Sequence, residues 1–484
     1  YVPLVVGKRA IYRTLRGIEV VDIDTGRVLW ETRPEVAVES LMSGSARVSA
    51  VTRFGGNVVV NRVGVAMGDR AAFGPVSGPA ENHPLTGLLF QHALHGIPAS
   101  DGRRVFLVEE RNLLAVPSPF NRFGGFNPFA PGGRNNRRGT WNTLAAYDLE
   151  TGRPVWEAGG AKMDEPFDLP LAGTRFLGAP TPLDGRLYVV GERDNEVRLH
   201  VIDAATGKAD WSRRIAYVDG PALADFNRRW ASSHVAVSDG VAICPTTVGW
   251  LVGVECSSHR LLWAHRYARP QPQDTSPRRG MVAVRPGGST VSSINGRWAA
   301  APPIICGDRV VFTPHAESVL LCLDLFTGKM LWKKKRGSFL YVAGGFGDRL
   351  ILVGTNSVAA LELADGSTAW THACQPAEGR TCGRGVTTDG IFHLPLSSGQ
   401  ICSIRLADGQ VSGRTYLPES ARETILGNLV MAGGMLLALG PSGMVGFEQR
   451  DALMTRIESA LKKNPADEWA TLKQAELALL GRDH

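Results

Sequence analysis

Asp22-Ile-Asp-Thr-Gly-Arg-Val-Leu-Trp30 decides the fold, because an acidic residue followed eight positions later by tryptophan recurs along the chain. Asp148 to Trp156 carries Thr151-Gly152, Asp203 to Trp211 carries Thr206-Gly207, and Asp324 to Trp332 carries Thr327-Gly328. Weaker copies run from Glu255 to Trp263 and from Glu362 to Trp370, the latter with Asp365-Gly366 at its turn. A seventh, Arg405 to Gly413, keeps only Asp408-Gly409. Each copy reads as a hairpin. An alternating apolar run such as Leu199-His-Val-Ile-Asp203 enters, glycine supplies the positive φ of a tight turn, and a short strand leaves on tryptophan.

A glycine turn leading into an apolar run precedes each copy, as in Gly7-Lys-Arg-Ala-Ile-Tyr12, Asp184-Gly-Arg-Leu-Tyr188 and Gly347-Asp-Arg-Leu-Ile351. There are eight such turns for seven hairpins. The last, Gly433-Gly-Met-Leu-Leu437, continues into Gly443-Met-Val-Gly-Phe447 and lacks its tryptophan strand. Each unit therefore reads as four short antiparallel strands, A to D. A four-stranded sheet buries little alone, whereas eight stacked radially give every sheet two neighbours, so the expected fold is all-β, an eight-bladed propeller. A sandwich has no reason to repeat one hairpin seven times.

The Asp-x-x-Thr-Gly-x-x-x-Trp hairpin resembles the pyrroloquinoline-quinone-type propeller repeat. That repeat occurs in quinoprotein dehydrogenases and in the lipoprotein of the bacterial outer-membrane β-barrel assembly machinery. The resemblance covers roughly residues 1–450 and rests on Asp22, Trp30, Asp148, Trp156, Asp203, Trp211, Trp263, Asp324, Trp332 and Trp370. It describes how blades pack, so it implies a fold and not a function. It also implies a periplasmic or otherwise extracytoplasmic setting, with membrane association.

The propeller is expected over 1–450, which absorbs most of the 484 residues. No stretch approaches the roughly 20 apolar residues of a membrane-spanning helix. Tyr1 already falls in what reads as a first strand, so the native chain is expected to start earlier. Over 451–484 the period changes to helical, with Leu453, Ile457, Ala460 and Leu461 before Asn464-Pro465, then Trp469, Leu472, Leu479 and Leu480. This reads as a tetratricopeptide-like helical hairpin, the start of a repeat region that continues beyond His484.

Cysteine usage is uneven. Seven cysteines cannot form a complete disulfide framework. Cys374 and Cys382 flank one connection and are the best disulfide candidates, and Cys244 and Cys256 are spaced to face each other across a hairpin. Free buried thiols are the alternative.

In this topology the A–B and C–D turns share one face, and the B–C and D–A connections share the other. Long insertions fall on the second face, at 33–91, 113–141, 216–230 and 268–297. Positive charge follows them. Arg122, Arg134, Arg137 and Arg138 lie in one insertion, and Arg269, Arg278, Arg279, Arg285 and Arg297 in another with the single acid Asp274. Lys333-Lys-Lys-Arg336 opens the connection between the fifth and sixth blades. Those segments hold thirteen basic residues against one acid, yet the whole chain is only +7, so the remainder is net acidic. Such a face suits a protein or an anionic polymer, with no sequence-specific reading of nucleic acid expected. A solvated loop set is the plain alternative. Phe120, Phe123, Phe126 and Phe129 recur three apart in the same insertion, as residues that pack over the ring or against a partner.

The resemblance also carries an enzymatic alternative, a dehydrogenase of alcohols or sugars holding pyrroloquinoline quinone and calcium over the central channel. The vicinal cysteine pair of its alcohol-oxidising branch is missing here, although some sugar-oxidising members lack it too. Inner strands such as Phe176-Leu-Gly-Ala-Pro180 are small and apolar, without an acid and amide cluster. Asp194-Asn195 reads as ordinary turn chemistry. His92-x-x-His95 is unsuited to a metal, because residues three apart on a strand face opposite ways. No catalytic, cofactor or metal residue is assigned. The reading is a non-enzymatic binding or assembly scaffold acting through its basic, loop-rich face.

Overall fold

A computed structural model describes residues 3–14, 17–32, 48–54, 57–63, 97–110, 141–162, 168–220, 222, 228, 231–268, 298–299, 301–315, 317–417, 426–440 and 443–480. The fold is an eight-bladed β-propeller of antiparallel sheets followed by two helices. Blades occupy 4–31, 99–159, 175–217, 236–266, 304–335, 339–373, 386–416 and 428–448. A separate hairpin, Val48–Phe54 with Asn57–Val63, lies between the first two.

Strands B and C are the centre of each sheet and are covered on both faces, so their sequences run apolar with little alternation. Val241–Pro245 is buried throughout, as is Leu350 to Gly354. The outer D strands are wetter. Thr368–Ala373 stays exposed or half-buried along its whole length.

The repeated hairpin has one design. Asp148 Oδ1 accepts both the amide and the hydroxyl of Thr151, at 2.8 and 2.7 Å, and Asp22, Asp203 and Asp324 do the same with Thr25, Thr206 and Thr327. The threonine hydroxyl holds each of these carboxyls below its ordinary range. Beyond the turn, the residue before the tryptophan of blades 2 to 5 is a β-bulge: Trp263 pairs Gly253 while Leu261 pairs Val254, leaving Leu262 unmatched. Val155, Asp210 and Leu331 are bulged in the same way. A bulge twists the strand and re-aims the next side chain. Here it turns the indole toward the following blade.

By its internal contacts the chain divides into two compact units. The first comprises mainly 12–19 and 30–371. Within it Trp30, Trp156, Trp211, Trp263 and Trp332 each reach the hairpin of the next blade. The Nε1 atoms of Trp30, Trp156, Trp263 and Trp332 donate to the carbonyls of Leu149, Ala204, Leu325 and Leu363 at 2.8–3.0 Å. Each ring lies over the turn glycine, so that a β-carbon on Gly152 would stand 2.6 Å from Trp30. Blade 4 replaces that glycine with His259 at φ 59°, and Trp211 stacks on its imidazole, centroids 4.1 Å apart. Blade 3 departs in its A strand, which is split into Arg175–Phe176 and Thr181–Leu183. Gly178 sits in the gap, where the Ser233 carbonyl leaves no room for a β-carbon. Asp194 and Asn195 both have positive φ, a tight B–C turn.

The second unit comprises 2–11, 20–29 and 372–484. In it the innermost strands of the first and last blades, Leu4–Val6 and Asn428–Ala432, are neighbours. Blade 8 has three strands. Where a fourth would start the chain enters helix α1, Arg450–Lys463, tied by the Gln449 amide to the Gly434 carbonyl at 2.8 Å. Helix α2, Glu468–Leu480, is opened by Asp467 Oδ1, which accepts the Ala470 amide at 2.9 Å. Ile457 and Ala470 are buried, and Arg456 lies 4.2 Å over the Trp469 ring.

Candidate partner-binding face

The insertions spring from the ends of strands B and D, and the described residues there form a chain of carboxylate–arginine staples. Strand Arg104–Glu109 of blade 2 leads into Glu110. Glu109 accepts Arg13 of blade 1 at 2.9 Å, with side chains only 13% and 6% exposed. Glu110 takes both Nη atoms of Arg175 from blade 3, at 2.7 and 3.2 Å, a bidentate pair that fixes orientation as well as charge. Asn142 lies beside it. Its amide donates to Glu110 and to the Phe176 carbonyl, and its oxygen accepts the Phe176 amide at 2.8 Å.

Glu192 repeats the arrangement one blade on. It accepts Arg228 and the Ala222 amide. Arg228 also donates to the Gly220 carbonyl at 2.7 Å and to Thr247 Oγ1 at 3.1 Å. Burial pushes the Glu192 carboxyl up from its ordinary value, against the pull of Arg228. Residue 228 belongs to the 216–230 insertion, so this connection is anchored by a buried arginine rather than being uniformly solvated.

The Lys333 to Arg336 run, expected to open the connection between the fifth and sixth blades, starts earlier in the fold. It lies mostly on the D strand Met330–Lys335. Alternation exposes Lys333 and Lys335 but directs Lys334 to the Gly366 carbonyl and Thr368 Oγ1, at 2.8 and 3.1 Å. Arg336 is buried, donates to the Phe339 carbonyl and lies over Trp298, whose Nε1 bonds the Val319 carbonyl. Two of these four charges therefore hold blades and loop roots together. Arg122, Phe123, Phe126, Arg134, Arg137, Arg138, Arg278, Arg279 and Arg285 lie outside the described residues, as do His92 and His95.

Cysteine pairing is a correction. All seven cysteines are free thiols, Cys374 and Cys382 included. Cys374 is buried beside His372 and Glu378, whereas Cys382 packs against Leu429 and its apolar neighbours. Cys244 pairs in register with Val252, not with Cys256. Burial raises the Cys244, Cys256 and Cys382 thiols above their ordinary value, the state of small apolar residues.

A calcium–quinone site needs about six to eight carboxylate, amide and water oxygens converging on one point. Among the described residues at these strand ends, Glu109, Glu110, Glu192 and Asn142 are already engaged by guanidinium or backbone groups. They do not fit such a group. On the opposite face a cleft of about 640 Å³ lies between the A–B turns of blades 5 and 6, lined by Asp308, Arg309, Asp348 and Glu362 among others. Its polar groups serve the fold, since Arg309 donates to the Leu363 carbonyl at 2.6 Å and Glu362 accepts Arg349 at 3.0 Å.

Tryptophan hairpins stacked blade on blade define a pyrroloquinoline-quinone-type propeller. The chain belongs to the family whose model is described as outer membrane protein assembly factor BamB, which matches residues 89–286 and 278–468. The outer membrane protein assembly factor BamB of Yersinia pestis is 24% identical over 267 residues, 48% of this chain and 61% of that protein. The match thus spans about three fifths of that relative's length. Among solved structures, BamB from Moraxella catarrhalis is 13% identical with a TM-score of 0.37, over 91% of this chain and 81% of that one. A europium-containing methanol dehydrogenase is 11% identical with a TM-score of 0.46, over 91% of this chain and 80% of that one.

No described helix is long and apolar enough to cross a membrane.

Proposed function

We propose that this protein is a non-enzymatic scaffold of outer-membrane protein assembly, working outside the cytoplasm and engaging an acidic protein partner through its loop-rich, basic face. The observation that carries the reading is the match to the assembly-factor family over 89–468. It is supported by the position of the long insertions at B–C and D–A junctions, whose roots are held by Arg13–Glu109, Arg175–Glu110 and Arg228–Glu192. Long connections leaving the same end of neighbouring packed strands are suited to binding. Arginines in those loops add steering toward negative charge.

Charge reversal tests it. A variant with Arg134, Arg137, Arg138, Arg278 and Arg279 changed to Glu should elute from heparin at much lower salt than the parent, and unchanged retention sinks the basic-face reading. The dehydrogenase alternative is addressed separately by incubating the protein with pyrroloquinoline quinone and calcium. Stoichiometric quinone uptake with dye-linked oxidation of an alcohol or sugar would overturn the scaffold reading.

A further inference from the structure

His372-Ala-Cys-Gln-Pro-Ala-Glu378 brings three metal-capable side chains into seven residues. His372 lies near the end of the D strand Thr368–Ala373, and Cys374 follows two positions later on extended chain, where side chains two apart share a side. The single 3-10 turn Pro376–Glu378 then folds the chain back, with Glu378 Oε2 accepting the Gln375 amide at 2.8 Å. Arg414, on the D strand Val411–Tyr416 of blade 7, bonds the other carboxylate oxygen. One ligand atom from each of His372, Cys374 and Glu378 lies within 4.8 Å of the others.

Two further observations point to a ligand. His372 Nε2 is buried without a hydrogen-bond partner. A buried polar atom left unmet is destabilising and calls for an explanation. Cys374 and Glu378 are each only 8% exposed and His372 is half-buried, so the thiol is not a surface accident.

We propose that His372, Cys374 and Glu378 form a three-ligand site for a divalent transition metal of the zinc type, its fourth position left to water. Imidazole nitrogen with thiolate sulfur selects zinc-like ions over calcium or magnesium, which want oxygen alone. Thiolate and carboxylate balance the ion's two charges. Arg414 and the Gln375 amide hold the carboxylate as outer-shell partners. On binding, the Cys374 S–H bond breaks, its proton passes to solvent and a metal–sulfur bond forms, with no electron transferred.

The test uses the full chain stripped with a chelator, titrated with zinc chloride against a chromophoric competitor and with cobalt chloride by absorbance. One zinc per chain is expected, and the cobalt form should show a thiolate charge-transfer band with tetrahedral ligand-field bands. Cys374→Ser should abolish the charge-transfer band. His372→Ala and Glu378→Gln should each weaken zinc by at least about tenfold, since outer-shell changes alone cost that much. Zinc should also protect Cys374 from alkylation in the parent protein, read by peptide mass spectrometry, which needs no variant to fold. A charge-transfer band that survives Cys374→Ser, zinc affinity equal in parent and variants, or unprotected Cys374 would each overturn the proposal.

Discussion

The indole of Trp263 donates a 2.8 Å hydrogen bond to the Leu325 carbonyl and packs its face on Gly328, so one side chain joins blade 4 to the hairpin turn of blade 5. The acid-to-tryptophan interval is thereby a lock between neighbours: the acid and its threonine shape the turn that receives the preceding blade's ring.

Trp263→Ala should be the most damaging change among the repeat tryptophans, because Trp263 is 7% exposed while Trp30 and Trp156 are half-buried. We expect a loss of about 3–5 kcal/mol at Trp263 and less at the others. Urea unfolding followed by fluorescence checks this, and a Trp263→Ala variant as stable as the parent would refute the lock.

The turn glycines should separate into two groups. Gly307 has φ 56° with open space around it, so Gly307→Ala should cost only the left-handed strain of about 1–2 kcal/mol. Gly152→Ala meets the same strain and also puts a methyl 2.6 Å from Trp30, so it should cost more. His259→Gly should fall within about 1 kcal/mol of the parent. It relieves strain at φ 59° and loses a stacking contact of about 0.5–1.5 kcal/mol with Trp211. Thermal melts of the three variants decide the order.

Most of this architecture is legible in the chain because Asp, Thr, Gly and Trp recur at fixed spacing, and a short local pattern suffices to make a hairpin. His259 is legible only afterwards: it stands at the glycine position of the Glu255 to Trp263 copy, where a stacking ring replaces a bare turn. The staples leave no such trace. Arg13 and Glu109 are 96 residues apart, and Arg228 and Glu192 are 36 apart, so only the ring brings them together. The His372, Cys374 and Glu378 cluster is written locally as a His-x-Cys-x3-Glu spacing, but it is a single occurrence and only the turn Pro376–Glu378 folds its third member back onto the first two.

Removing one member of a buried staple should hurt more than removing both. Arg228→Met takes from the buried Glu192 carboxylate its hydrogen-bonded guanidinium, leaving only the charge of Arg175 nearby, and should cost about 3–5 kcal/mol, whereas Arg228→Met with Glu192→Leu should recover much of that loss. Denaturant midpoints of the two single variants and the double variant give the coupling. Strictly additive losses would mean that the pair does not act as a unit.

Acid sensitivity should centre on His200. Burial first, then Arg198 and Arg193, pushes its imidazole down to about 4, and neither ring nitrogen has a hydrogen-bond partner. Its folded value lies below the unfolded value of about 6.5. The contribution is therefore full above about pH 6.5 and is lost as pH falls toward 4. His200→Leu should narrow the gap between denaturant midpoints at neutral pH and near pH 4.5. The acid loss at Asp22, Asp148, Asp203 and Asp324 is common to both proteins and cancels. An equal gap in parent and variant would contradict the assignment.

Recognition by the loop-rich face is read from the affinity of the purified chain for the outer-membrane β-barrel assembly machinery of its own organism, by surface plasmon resonance. The parent should bind in a salt-sensitive manner. Changing Arg134, Arg137, Arg138, Arg278 and Arg279 to Glu should weaken binding by about tenfold or more, slowing association most. Arg186→Glu and Lys208→Glu, near turns of the opposite face, should leave it unchanged. Equal affinity in the five-arginine variant and the parent, or loss confined to the opposite-face variants, would contradict the account.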